Sequence, residues 1–145
     1  MSGTNWEVEP LRAVGPLELG VAPEAMRAKL EAVAGFDGFS SHAQNFAQFE
    51  DGRSVQFFVA EGAVEAIEVW YPGTSADQVT LNGVALFGLD REAVAWEPRL
   101  ADISFTWDGG GWVSRAHSIG LTDEGAGVVA VLVAVDGYYD FLDEL

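Results

Sequence analysis

The chain has 145 residues and carries 23 acidic against 7 basic side chains, a net charge of −16, and it contains no cysteine. The length fits a single domain over residues 1–145, and the absence of cysteine excludes disulfide scaffolds, cysteine nucleophiles and thiolate metal sites. The negative charge argues against binding to nucleic acid, because the phosphate backbone repels such a surface. Hydrophobic residues make up 49% of the chain, which is typical of a folded globular protein.

The sequence shows no signal that would direct the protein to a membrane or out of the cell. Its first residues contain neither a basic segment nor an apolar one. The longest apolar run, 128–135, is far shorter than the ~20 residues that a membrane-spanning helix requires. We therefore expect a cytoplasmic protein that does not associate with membranes.

The first half of the chain predicts a short strand, a helix and a meander. A short apolar run, 17–19, stops at Gly20. A helix is expected over 22–34, because Pro23 suits the first helical position and an apolar stripe recurs at helical spacing. That stripe consists of Met26, Leu30 and Val33. The strands expected after the helix span 45–49, 54–60 and 64–71.

The second half of the chain predicts the same order of elements. A second helix is expected over about 90–97 and is ended by Pro98. The two halves align at an offset of 68 residues, as Gly20 and Gly88 show. Each of these glycines stands between a strand and a helix, where a positive φ permits a sharp turn. The strands expected after the second helix span 103–107, 111–116, 128–135 and, at an edge, 138–142.

These patterns predict an α+β fold made of two tandem repeats, each a helix packed on an antiparallel β-meander. Repeat 1 spans about 13–72 and repeat 2 about 82–142. The two meanders could form one continuous curved sheet.

No group of residues in the sequence points to catalysis or to a metal. The two histidines, His42 and His117, each have a serine neighbour, but adjacent residues of a strand point to opposite faces. No nucleophile-elbow motif occurs. The acidic turns at 108–111 and 122–125 lack the ligand spacing of a calcium loop. We therefore expect no catalytic residue, no metal site and no cofactor, with both histidines on the surface.

Acidic residues concentrate in the two strand-rich regions and the C-terminal tail, where aromatic residues lie among them. Acids steer the encounter with a basic protein, and aromatic side chains supply much of the binding energy at interfaces. The alternative is that the acids only keep the protein soluble and the aromatics fill the core. The partner-binding residues that we predict are Phe58, Glu65, Glu68, Trp70, Trp112, Asp136, Tyr138 and Asp140.

The segment from Gly15 to Met26, with a looser match at 83–94, resembles a pattern of small bacterial proteins that leads into a helix and an antiparallel meander. The tandem arrangement resembles the β-lactamase-inhibitory-protein family, its single-copy outer-membrane-assembly relatives, and small acidic immunity proteins that neutralise bacterial toxins. The resemblance implies no particular functional residue, because the motif encodes a turn and a helix start. The secreted inhibitors have disulfides and a signal sequence, and this chain shows neither, which favours a cytoplasmic binder.

Three hypotheses for the function follow. The leading one is a non-enzymatic protein-binding module of the immunity or inhibitor type, which neutralises a basic partner such as a bacterial toxin or nuclease. The second is a small-molecule-binding protein or enzyme with a pocket between the helices and the sheet, lined by His42, Arg115 or His117. The third is a structural or oligomerising domain. The sequence leaves the partner and the oligomeric state open.

Overall fold

The computed structural model describes residues 5–71, 78–125 and 127–140. The elements of the first half are β1 (Asn5–Glu9), β2 (Ala13–Val14), β3 (Leu17–Glu18), α1 (Pro23–Glu31), β4 (Phe36–Phe39), β5 (Phe46–Phe49), β6 (Ser54–Ala60) and β7 (Ala63–Trp70). The elements of the second half are β8 (Gln78–Leu81), β9 (Val84–Ala85), α2 (Arg91–Trp96), a 3-10 helix (Pro98–Ile103), β10 (Thr106–Trp107), β11 (Gly111–Ser114), β12 (Ile119–Asp123) and β13 (Val128–Ala134).

Eight antiparallel strands form the larger of two sheets, in the order β10-β11-β12-β13-β7-β6-β5-β4. Each half of the chain contributes four consecutive strands. The last strands of the two halves, β7 and β13, pair at the centre with Val69 opposite Val131. Both are rich in β-branched residues, which fit the pleated surface of a sheet well.

Five short strands form the second sheet, in the order β3-β2-β1-β8-β9. Strands β1 and β8 run parallel, with Trp6 opposite Val79, and the other neighbours are antiparallel. One hydrophobic core joins this sheet, both α-helices and the large sheet. Its members include Trp6, Val8, Met26, Leu30, Phe57, Ile67, Val79 and Val94.

The two faces of the large sheet differ because side chains alternate along each strand. On β7, Ile67 and Val69 are buried against the second sheet and the helices, and we call this side the core face. The opposite side, which we call the outer face, carries half-buried side chains together with the buried alanines Ala66, Ala130 and Ala134. The outer-face residues of the central strands include Gln56, Phe58, Glu68, Trp70 and Leu132.

Both α-helices lie where the sequence predicts them, although each is shorter. Helix α1 begins at Pro23, as expected, and buries Met26 and Leu30 from its apolar stripe. Helix α2 ends at Trp96, since a proline at 98 removes a backbone donor and restricts the residue before it. No helix of the described ranges is long and apolar enough to cross a membrane.

Gly20 and Gly88 form equivalent junctions between the second sheet and the helices. Their φ values are +84° and +80°. The Gly20 amide donates to the carbonyl of Val64 at 2.8 Å, and the Gly88 amide donates to the carbonyl of Val128 at 2.9 Å. Each junction therefore adds backbone hydrogen bonds to a central strand of the large sheet.

We expect Gly20→Ala and Gly88→Ala each to lower the free energy of unfolding by about 1–2 kcal/mol, because a Cβ disfavours this left-handed conformation. Chemical denaturation would measure the loss. Gly110→Ala is the matched control, since Gly110 has no positive φ and open space around its Cα. Equal losses at all three positions would contradict the explanation.

The predicted α+β fold of two tandem helix-plus-meander repeats is wrong. The described residues are mostly β, with 43% strand and 17% helix, and they form two sheets and only three short helices. The prediction overlooked the second sheet, because three of its strands have only two residues and the alternation of polar and apolar residues in β1 was not recognised as a strand pattern. It also expected a strand over 103–107, but the 3-10 helix extends to Ile103 and only 106–107 pair. Within the predicted edge strand 138–142, residues 138–139 form a turn, and 141–142 lie outside the described residues.

Candidate functional site

Three of the eight predicted partner-binding residues, Phe58, Glu68 and Trp70, lie together on the outer face. Glu68 and Trp70 lie there on β7, and Trp70 Nε1 donates to Glu68 Oε1 at 2.9 Å. Phe58 of β6 lies on the same face, opposite Ala66. All three side chains are half-buried, so they remain accessible to a partner while their positions are restricted by their neighbours.

A β-bulge brings Glu65 to the turn that follows β13. Phe58 pairs with Ala66 while Val59 pairs with Val64, so Glu65 is the extra residue of β7. Its carbonyl accepts a hydrogen bond from the amide of Val135 at 2.9 Å. The same turn contains Asp136 and Tyr138, which line a pocket of 390 Å³ together with Glu65.

Tyr138 links this turn to the centre of the outer face. Burial raises the pKa of its hydroxyl, and the negative charges of Glu65 and Glu68 raise it further. Its ring packs edge-to-face on Tyr139, with centroids 5.2 Å apart. The turn therefore holds two adjacent tyrosines beside the carboxylates of β7.

Glu68 is the most unusual charged group on this face. Burial raises the pKa of its carboxyl, and the hydrogen bond from Trp70 only partly opposes that effect. Among the described residues, no lysine or arginine forms an ion pair with it. Burying a carboxylate without a cation costs free energy, so this arrangement does not serve the stability of the isolated protein.

A groove of 310 Å³ opens beside Glu68 on the outer face. We call it the Glu68 groove, and its lining includes Glu68, Asp108, Val113, Gly120, Leu132 and Tyr139. The Tyr139 hydroxyl lies directly over Gly120, because a Cβ at that position would overlap it. Burial raises the pKa of Tyr139, and the negative charges of Glu68 and Asp108 add to this. Tyr139 and the two acids therefore line the same groove.

Trp112 belongs to the lining of the Glu68 groove, and Asp140 does not. Trp112 lies opposite the buried Leu121 in the register, and its indole packs edge-to-face on Trp107 with centroids 5.3 Å apart. Its Nε1 is buried and has no hydrogen-bond partner in the described structure. Asp140 is exposed at the end of the turn, where its amide donates to the carbonyl of Gly137 at 3.0 Å. The structure therefore brings Trp112, although it lies on β11, to the same groove as Glu68.

Sequence reasoning missed two residues that shape the groove, Tyr139 and Gly120. The adjacent residues Tyr138 and Tyr139 after Gly137 indicated an aromatic surface at this turn. The local sequence does not show which of the two rings packs on the sheet. Gly120 lies in β12, a strand that the sequence did not predict. Only the register, which places Gly120 opposite Leu132, reveals that it makes room for the tyrosine.

The residues of the alternative hypothesis do not form a shared site. His42 is exposed, and its amide donates to Ser40 Oγ at 3.0 Å. His117 is half-buried rather than on the surface, with Nδ1 3.4 Å from Ser114 Oγ, but that hydroxyl is fully buried and donates to the carbonyl of Ile103. Neither histidine nor Arg115 lines any of the four pockets described within residues 5–71, 78–125 and 127–140. The same residues contain no cluster of three side chains able to hold a metal ion.

Comparison with known proteins yields no relative. No protein-family model matches the chain, and neither the curated proteins nor the solved structures contain a significant match.

Proposed function

We propose that this protein is a non-enzymatic protein-binding module of the immunity or inhibitor type, which binds a basic protein through the outer face of its large sheet. The observation that carries the proposal is Glu68, a half-buried carboxylate that has no cationic partner among the described residues. A basic partner would supply the missing cation. In the complex, the attraction between this cation and the Glu68 carboxylate would offset the free-energy cost of burying the charge.

The surroundings of Glu68 support an interface. Trp70, Phe58 and Tyr138 provide partly buried aromatic surface, and residues of this type dominate the energy of many protein interfaces. Their positions are set by strands and a hydrogen-bonded turn, so little conformational freedom would be lost on binding.

The net charge supports a basic partner. At −16 the protein attracts basic proteins over long range and accelerates their association at low ionic strength. A toxin that acts on nucleic acid must itself carry a basic channel, so its active site is the surface that this protein would cover. We place this binding in the cytoplasm as part of the same proposal.

Affinity capture tests the proposal. The immobilised protein, exposed to an extract of its native host, should retain a basic protein whose retention falls as ionic strength rises. The double variant Glu65→Gln/Glu68→Gln should lose this protein. The control Glu31→Gln/Glu92→Gln removes the same charge from exposed positions on the two helices and should retain it. The captured protein, expressed alone, should be toxic or enzymatically active, and the wild-type chain should suppress that activity.

Three outcomes would contradict the proposal. They are retention that is indifferent to salt, equal retention by the two double variants, and an acidic or neutral captured protein.

A further inference from the structure

The Glu68 groove has the size and composition of a receptor for one side chain. Its volume of 310 Å³ lies at the lower limit of small-molecule pockets, which suits a single inserted side chain better than a cofactor. One wall is apolar, formed by Leu132 and Val113, and Tyr139 adds an aromatic ring. Two carboxylates, Glu68 and Asp108, contribute negative charge.

The hydrogen bonds already formed by the two acids leave an oxygen available on each. Glu68 Oε1 accepts from Trp70 Nε1, and no described hydrogen bond reaches Oε2. Asp108 Oδ1 accepts from the amides of Gly110 at 3.2 Å and Gly111 at 3.0 Å, and again no described hydrogen bond reaches Oδ2. Both bonded oxygens are held in place by these contacts, so the orientation of each carboxylate is restricted before a ligand arrives.

We propose that the Glu68 groove receives a single arginine side chain of the basic partner. This inference rests on the proposed function and specifies how the outer face recognises that partner. A guanidinium presents five N–H donors in one plane, so it can serve two carboxylates at once, whereas an ammonium is a compact point charge. Its flat faces stack on an aromatic ring such as that of Tyr139. It is also more weakly hydrated than an ammonium, which lowers the cost of entering a partly buried groove.

The absence of a side chain at Gly120 is a structural requirement of this groove. The Tyr139 hydroxyl occupies the position where a Cβ would lie. A Gly120→Ala variant would displace the tyrosine and reshape the groove without changing the net charge. It therefore separates recognition by shape from general attraction to an acidic surface.

Peptide titration followed by NMR tests the inference on the full chain. The probes are three blocked pentapeptides with glycine at every position except the centre, which carries arginine, lysine or citrulline. Millimolar arginine peptide should shift the Trp70 indole N–H signal and the Gly120 amide signal. The lysine peptide should bind several-fold more weakly. Citrulline, which has the shape of arginine without its charge, should leave both signals unchanged.

Variants identify the groove as the binding site. Glu68→Gln should weaken binding of the arginine peptide by about tenfold, because it removes a charge-assisted hydrogen bond. Gly120→Ala should weaken it comparably, provided that the remaining amide spectrum shows an intact fold. Glu31→Gln, on the surface of α1, should leave binding unchanged.

The inference is overturned if millimolar arginine peptide shifts neither signal, if arginine and citrulline give the same shifts, or if Glu31→Gln reduces binding as much as Glu68→Gln. The proposed function is judged separately from the host extract. If the Glu65→Gln/Glu68→Gln variant fails to capture the basic protein that Gly120→Ala still captures, the outer face binds the partner, but the proposed insertion of its arginine into the groove is wrong. If no basic protein is captured while the arginine peptide binds, the proposed function fails, but the assignment of the groove as an arginine-binding site stands.

Discussion

Glu68→Gln is expected to stabilise the protein at neutral pH while it weakens binding to the basic partner by about tenfold or more. The stability gain follows because burial disfavours the charged carboxylate, whereas a neutral amide avoids that cost. The amide oxygen can still accept the hydrogen bond from Trp70 Nε1. The binding loss follows because the charge that the partner neutralises is gone. A residue retained only for stability would show the opposite pattern.

The pH dependence of stability provides a second readout of the same group. Because the folded-state pKa of Glu68 is raised above its usual 4.5, the folded protein holds this proton more readily than the unfolded chain. The free energy of unfolding should therefore fall as pH rises from 4.5 through the folded-state pKa. Glu68→Gln should remove this contribution, and the difference between wild type and variant should grow over that window and then level off.

Chemical denaturation of the two proteins at a series of pH values measures this effect. Glu31→Gln is the control, because this exposed acid lies on α1. If Glu68→Gln lowers the stability at neutral pH, or if the difference from wild type does not change with pH, the explanation based on burial is wrong.

Phe57→Ala is expected to lower the free energy of unfolding by about 3–5 kcal/mol, whereas Phe58→Ala should cost only about 1 kcal/mol. The two phenylalanines are adjacent on β6 but belong to opposite faces of the sheet. Phe57 is 1% exposed and lies opposite Ile67 in the centre of the core, so its removal leaves a cavity. Phe58 is half-buried on the outer face, where solvent fills the space.

Variants at the same two positions separate stability from binding. Phe58→Ala should weaken capture of the basic partner although the fold is intact. The conservative Phe57→Leu, which retains most of the buried volume, should bind as well as wild type. Similar stability losses for the two alanine variants would show that the two faces have been assigned incorrectly.

Local patterns predicted several elements accurately. Strand β6 spans Ser54–Ala60, as the sequence predicted, because a long β-rich run between two turns identifies a strand without further information. Helix α1 was predicted from Pro23 and an apolar stripe, and its buried residues Met26 and Leu30 belong to that stripe. The positive φ of Gly20 and Gly88 was likewise expected from their place before a helix.

Other features depended on contacts between distant segments. Three strands of the second sheet have only two residues, and the alternation in β1 was not recognised. The sheet itself forms where β1 and β8 pair, although the first half of the chain separates them in sequence. The omission of this sheet led to the wrong fold class. The predicted boundaries of the two halves, about 13–72 and 82–142, and the partner-binding role of the outer face stay predictions.

The sequence by itself determined the charge, the absence of cysteine chemistry, and the positions of the main helix and the central strands. These properties follow from composition and from periodicities within a few residues. Only the tertiary structure decided that Trp112 and Glu68 line one groove, that a bulge directs Glu65 to the turn after β13, and that Tyr139 lies over Gly120 beside Glu68. These depend on strand register and on a returning turn, which no local window of sequence can specify.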